Sequence, residues 1–212
     1  MKTIVDKPFR PIYPSPAGLI VSVDTTGKPN VMTAGEIFNI SLVNPCIIGI
    51  ALRKATYTHG LIVASKEFSV NIPTTAMLKQ VDQVGTISGR DGLDKFAAYG
   101  LTPLASQAIQ SPIIAECPLN LECQLLSVTE VGDHDLFLGQ VVKMHVDSDK
   151  LDTNQKMNIA DMDAFMFAEW GYYGISDKIG HFGFSRQDMK EETTPHVQKK
   201  PPVGDENEFP AS

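Results

Sequence analysis

Three short stretches carry side chains that could hold a ligand. The first is Arg53-Lys54-Ala55-Thr56-Tyr57-Thr58-His59, two cations and two hydroxyls ahead of a helix-like run. The first N–H groups of a helix lack partners, and its dipole favours an anion there. Arg53 and Lys54 can add charge-assisted bonds. The stretch reads as a phosphate clamp, or more plainly as a helix cap flanked by solvated charges. The second is the run from Asn30 to Ser41, which includes Val31, Met32, Thr33, Ala34, Ile40 and Ser41. Small side chains let a flat heterocycle approach the main chain, whose N–H and C=O groups can pair with its polar edge. An edge strand with solvated hydroxyls is the plainer alternative. The third is Ser88-Gly89-Arg90 followed by Asp94-Lys95-Phe96, a loop and helix start that could close over a ligand.

The rest of the pattern argues against several other chemistries. There is no GxGxxG opening a βαβ unit, no Walker A loop and no GxSxG elbow. His59, His134, His145, His181 and His196 show no metal-ligand spacing. Asp133 with Asp135, and Asp161 with Asp163, read as turn chemistry. The formal charge is -7, and the longest basic cluster is Lys199-Lys200, which argues against a nucleic-acid partner. A small anion needs only a few local donors and is not excluded. Cys46, Cys117 and Cys123 are odd in number and lack CxxC spacing, so buried thiols are expected, with a 117–123 redox pair as the alternative. Residues 1–16 hold four prolines and no apolar run, unlike a signal peptide. The most apolar stretch, 42–52, is too short to span a bilayer. A cytoplasmic protein without a membrane partner is the expectation.

The elements that would position these residues are mostly strands. Residues 18–24 and 30–34 form an antiparallel pair around Thr26-Gly27-Lys28-Pro29, and 36–43 and 46–52 a second pair around Asn44-Pro45. A helix follows over 56–64, capped by Thr56 or Thr58, then a strand over 67–72 that Pro73 ends. Residues 75–84 read as an amphipathic helix, 88–92 as a loop, and 93–99 as a short helix that Gly100 stops. Residues 119–131 and 136–147 form a long hairpin about the loop Gly132-Asp133-His134-Asp135, four residues long or slightly longer depending on register. Short strands in close succession predict a meander or Greek-key barrel over a parallel sheet. Phe165, Phe167, Trp170, Tyr172, Tyr173, Phe182 and Phe184 follow no clean period and read as a cover on the barrel or against a partner chain. The chain of 212 residues suits one domain over 1–186, followed by a polar tail over 187–212.

In PNVMTAGEIFNISLVNPCIIGIAL, RKATYTHGLIVASKEFSVNIP, GTISGRDGLDKFAAYGLTP and GDHDLFLGQVV, taken in that order over residues 17–145, the chain resembles the flavin reductase-like, FMN-binding split-barrel family, in its flavoredoxin-like branch. The resemblance implies a mainly β fold with short helices, a Greek-key split β-barrel that forms a homodimer with FMN near the subunit interface. It places Val31, Met32, Thr33, Ala34, Ile40 and Ser41 on the isoalloxazine ring. It places Arg53, Lys54, Thr56 and Thr58 around the 5′-phosphate, with His59 close by. Ser88, Gly89, Arg90, Lys95 and Phe96 complete the pocket, in cis or from across the dimer. Glu36 stands where related chains often carry tryptophan. From their position and character, Trp170, Tyr172 and Tyr173 would cover the flavin or the nicotinamide. The implied activity is hydride transfer from NAD(P)H to the flavin N5, then onward to free flavin or a redox protein. An FMN electron carrier with little direct NAD(P)H activity, and a non-catalytic flavin-binding module, are the alternatives. No side chain is expected to act as a nucleophile or general base.

Overall fold

A computed structural model of the chain describes residues 2–4, 6, 12–175 and 177–184. The strands are β1 (Ser15–Pro16), β2 (Gly18–Val23), β3 (Pro29–Ala34), β4 (Ile37–Ser41) and β5 (Ile47–Arg53), followed by helix α1 (Tyr57–Ser65) and β6 (Glu67–Ile72). Helices α2 (Leu78–Thr86) and α3 (Lys95–Tyr99) come next, then β7 (Pro103–Leu104), β8 (Ile113–Ile114) and the long pair β9 (Leu119–Val131) and β10 (His134–Val146). The last two are β11 (Phe165–Ala168) and β12 (Gly171–Gly174). One antiparallel sheet runs in the order β3-β2-β6-β9-β10-β5-β4; β1-β11-β12 and β7-β8 form two smaller sheets.

The large sheet is a split barrel because its two edges are joined by a very short link. β3 and β4 are its opposite edges, yet only Gly35 and Glu36 separate them in the chain. Two such residues reach roughly 10 Å between strand ends, so the sheet must curl until its edges approach. The Glu36 carbonyl accepts the Ala51 N–H at 3.0 Å and fixes that corner. The passage from β5 to β6 skips over β10 and β9, which makes the order a Greek key.

β2 shows why this chain folds so. Its run GLIVSV is buried along its whole length. Leu19 and Val21 join one core with Val31, Val81, Val84 and Phe96, under α2 and α3. Ile20, the intervening residue, points into the barrel with Ile48, Ile50, Phe68, Val70 and Phe137. Period-two alternation on a strand covered on both faces gives a continuous apolar run.

Several expected boundaries shift. The long hairpin is tighter than expected: Val131 pairs with His134, so the loop is Gly132 and Asp133 alone, with Gly132 at φ 61°. Asp135 is therefore strand and not turn. It is buried and bonded to His59, so its pairing with Asp133 as turn chemistry does not hold. The helix expected over 93–99 begins at Lys95, and the loop before it holds a short turn over Gly89–Asp91. Cys117 and Cys123 lie in different cores, so they are not a redox pair, and burial raises both thiol pKa values well above the ordinary range. The first part of the aromatic segment does have a period, since Phe165 to Gly174 pair as the hairpin β11–β12; Phe182 and Phe184 lie outside it.

The chain divides into two units, Met1–Ser176 and Asp177–Ser212. Within the second, the Phe184 N–H donates to the His181 carbonyl at 3.1 Å. The expected tail over 187–212 lies outside the described residues. Among the described residues no helix is long and apolar enough to cross a membrane.

Candidate functional site

A cavity of about 710 Å³ opens where the sheet is split. One wall is the edge strand β3 and its link to β4, giving Met32, Thr33, Ala34, Gly35 and Glu36. The facing wall comes from the end of β5 with Ala51, Leu52 and Arg53, continues to Thr56, and includes Asp133 and His134 of the β9–β10 hairpin. α2 supplies Asp82, Gly85 and Thr86, and the β11–β12 hairpin supplies Phe167, Trp170 and Tyr172.

The β3 wall is thin and braced from behind. β3 has β2 on one side only, so alternate main-chain groups along it face away from the sheet. The Thr33 hydroxyl donates to the Val81 carbonyl at 2.5 Å. A Cβ on Gly85 would stand 3.2 Å from the Thr33 side chain, so a glycine inside α2 lets helix and strand approach. Behind them the buried Lys95 ammonium donates to the carbonyls of Val31 and Val84, at 3.0 and 2.9 Å. Burial lowers its pKa.

The start of α1 is open. Thr56 is the N-cap residue, but its side chain caps no N–H of the helix. Its hydroxyl donates back to the Arg53 carbonyl at 2.9 Å instead. The first-turn N–H groups thus keep no side-chain acceptor at the cap, beside the Arg53 guanidinium that lines the cavity. Helix start and guanidinium together suit an anion.

Of the residues expected at the site, Met32, Thr33, Ala34, Arg53 and Thr56 do line this cavity. The others fall elsewhere, each for a visible reason. Val31 is fully buried with its side chain in the core. Lys54 turns to the Glu130 carboxylate at 2.5 Å, with Asp135 at 3.7 Å, and the bond to Glu130 raises its pKa. Thr58 is buried inside α1, where its hydroxyl accepts the Asn30 amide at 2.8 Å, so it is not a cap. His59 bonds Asp135 at 2.8 Å and meets the Phe137 ring edge-on, away from the cavity. Asp135 keeps its second oxygen, Oδ1, buried and without a hydrogen bond. Ile40 and Ser41 stand on the far edge strand β4, with Ile40 exposed.

The third expected stretch is mostly structural within one chain. Ser88 accepts the Arg90 N–H at 3.2 Å and caps a short turn. Gly89 lies against β3, where an added Cβ would come within 2.0 Å of the Asn30 amide oxygen. Arg90 is exposed and outside the cavity lining. Phe96 is core, and Lys95 braces the wall from behind without lining it.

α2 supplies residues that the sequence reading missed. The only signal for them was Gly85, a glycine inside a helix, which costs about 1 kcal/mol against alanine and so needs a reason. The Tyr172 hydroxyl donates to the Asp82 carboxylate at 3.0 Å, across the cavity mouth. Burial and this bond push its pKa up to about 12, so Tyr172 stays a neutral phenol near neutral pH. The hydrogen bond from His134 holds Asp133 below the usual carboxylate range.

Comparison with known proteins agrees with the architecture. A family model described as flavin reductase like domain matches residues 10–174. Flavoredoxin of Desulfovibrio vulgaris (Miyazaki F) superposes with a TM-score of 0.81 at 29% identity, over 88% of this chain and all of that one. An uncharacterised protein of Archaeoglobus fulgidus is 40% identical over 62% of this chain and 72% of its own length. A NADH:riboflavin 5′-phosphate oxidoreductase of Streptomyces pristinaespiralis is 28% identical over 61% of this chain and 70% of its own.

Proposed function

The chain belongs to the flavin reductase-like family, and from that premise we propose that it binds FMN in the cavity at the barrel split and takes a hydride from a reduced nicotinamide. The observation that carries this reading is the pairing, in one cavity, of an open helix start beside Arg53 with a thin strand edge over 32–34.

The residues present fit that cofactor. The anionic end is met by Arg53 and the first N–H groups of α1, which no side chain caps. The flat ring is met by β3, where Ala34 and Gly35 leave room for close approach to main-chain donors and acceptors. When bound, FMN supplies the two-electron chemistry. The chain binds, orients and shields. Thr33 and Lys95 hold the ring-side wall rigid from behind. Tyr172, neutral and tied to Asp82, closes one side of the mouth without offering a proton-accepting phenolate. The two buried thiols, raised in pKa, sit in the cores away from the lining.

Electrons would leave to free flavin or to a redox protein, and the acidic chain suits a basic protein partner. The likeness to flavoredoxin favours a second reading, an FMN electron carrier that reacts slowly with nicotinamide. We propose that a second copy of the chain packs on the β4 edge, where Phe38, Ile40, Leu42 and Val43 are exposed together. Such a copy would also bring Ile40 and Ser41 into an interface. Purified protein should show a flavin absorption spectrum that bleaches on anaerobic addition of NADH or NADPH. Bleaching by dithionite but not by either nucleotide supports the carrier. A folded, colourless protein that takes up no added FMN overturns both readings.

A further inference from the structure

We propose that Trp170 is the platform on which the planar heteroaromatic ring of the second substrate stacks, a role that rests on FMN occupying the cavity. The hairpin β11–β12 is built to hold it there. Ala168 pairs with Gly171, so Glu169 and Trp170 alone form the loop. Both have positive φ, 48° and 64°. Two-residue hairpin loops with both residues left-handed favour Asn-Gly or Asp-Gly, because side chains with a Cβ resist that conformation. A glutamate and a tryptophan there are the less comfortable choice, and strained backbone of this kind gathers at ligand clamps.

The ring that this turn presents is placed for contact. Trp170 lines the cavity, yet is 76% exposed. Phe167 meets it edge-on with centroids 6.5 Å apart, which orients the indole. The rest of the hairpin is fixed. Ser15 and Pro16 pair with Phe167 and Met166 on its first strand, which thus has a neighbour on both sides. At its base the Thr75 N–H donates to the Asp163 carbonyl at 2.9 Å, and the Thr75 hydroxyl to the Asp163 carboxylate at 2.5 Å. On its inner face Tyr172 is tied to α2 through Asp82. A rigid arm therefore ends in a solvent-facing indole at the mouth of a cavity that holds room for a flat ligand. Indole faces stack on planar heterocycles without regard to their exact substituents. A nicotinamide and a free isoalloxazine share this chemistry, and they are the two ring types that the proposed function brings to the mouth.

Trp170 is the chain's one tryptophan, so its emission reports this position alone. The full-length protein, loaded with FMN, should lose tryptophan emission saturably as NAD⁺ is added. Dissociation constants are then compared for the wild type, Trp170→Asn and Trp170→Phe. NAD⁺ is followed by the visible spectrum of bound FMN, and riboflavin by equilibrium dialysis. Asparagine accepts the left-handed turn and removes the ring. It should weaken at least one of the two ligands about tenfold, several times more than it weakens FMN, and Trp170→Phe should restore most of the loss. The ligand that responds identifies the ring. Unchanged affinities for both ligands, or wild-type emission that NAD⁺ does not alter while riboflavin affinity is also insensitive to the ring, overturn the proposal. Emission that shifts with protein concentration instead puts a second copy of the chain over Trp170 and also overturns it. Wild-type protein that never retains FMN removes the cofactor reading itself, a failure visible before any ligand is added.

Discussion

β3 and β4 are the two edges of one sheet, and each leaves a row of main-chain N–H and C=O groups without a neighbouring strand. Along β3 that row is managed with polar side chains. Lys95 takes the Val31 carbonyl, the Thr33 hydroxyl ties the strand to α2, and the remaining edge faces the cavity. Along β4 the exposed side chains are mostly apolar: Phe38 and Ile40 either side of Asn39, then Leu42 and Val43 just beyond. A braced polar edge keeps its shape and can pair with a small heterocycle. An apolar edge suits a protein surface. Under the proposed function the same backbone liability serves two recognitions, and substitutions on each side should have separable effects.

The largest expected effect is at the brace. Lys95→Met fills a similar volume but leaves the carbonyls of Val31 and Val84 buried without a donor. Each costs roughly 1–3 kcal/mol, offset partly by no longer burying an ammonium. A net loss of about 2 kcal/mol should appear as a lower urea midpoint, together with weaker FMN binding and an unchanged oligomeric state. Retained FMN affinity would show that the β3 wall holds without its brace. Next is the anion end. Arg53→Ala should weaken FMN about 10- to 100-fold and riboflavin far less, by calorimetry. Lys54→Ala should change FMN little, because Glu130 already holds that ammonium. Equal losses of FMN and riboflavin in Arg53→Ala would put the phosphate elsewhere.

How far the sequence could be read also differs between regions. The hairpin β9–β10 was legible because thirteen-residue strands of half-buried alternation leave little else to be. Its loop was overestimated because Gly132 and Asp133 turn the chain alone. β11–β12 was not legible as a hairpin, since Glu169 and Trp170 carry no turn signal yet both have positive φ. At the site, strand 29–34 and the start of α1 were legible as places, but the jobs of single side chains were not. Lys54 and Lys95 are both cations beside the cavity. One is claimed by a carboxylate from β9 and the other by two carbonyls, and neither partner is near in sequence. Spacing along the chain cannot show which acceptor reaches an ammonium first.

The β4 edge is tested by charge. Leu42 is 74% exposed, so Leu42→Glu costs the folded subunit little. Set against the matching edge of a second copy, it buries two carboxylates among apolar side chains. The dissociation constant of the proposed dimer should rise about tenfold or more by analytical ultracentrifugation, with FMN affinity in the monomeric unit less affected than in Arg53→Ala. A protein that is monomeric before the substitution removes β4 as the site of self-association.

The slightest effect is expected between the edges, on the central strand β9, which is neither edge of the sheet. Glu122 is fully buried. Burial alone would raise its carboxyl pKa. The N–H groups of Gln107 and Ala108, at 2.8 and 2.6 Å, and the His145 ring, at 2.6 Å, outweigh that and hold it below the ordinary 4.5. A carboxyl with a depressed folded pKa contributes stability that is complete above its ordinary value and is lost as pH falls through the folded value. The wild-type urea midpoint should therefore drop as pH is lowered below about 4.5, and Glu122→Gln should show a lower midpoint at neutral pH with a shallower acid slope. What opens first is the segment around Gln107 and Ala108, since Glu122 is the acceptor for both N–H groups. Hydrogen exchange there should quicken in acid before either β3 or β4 loses protection. Equal acid slopes for the two proteins would mean that this carboxylate does not set the pH dependence.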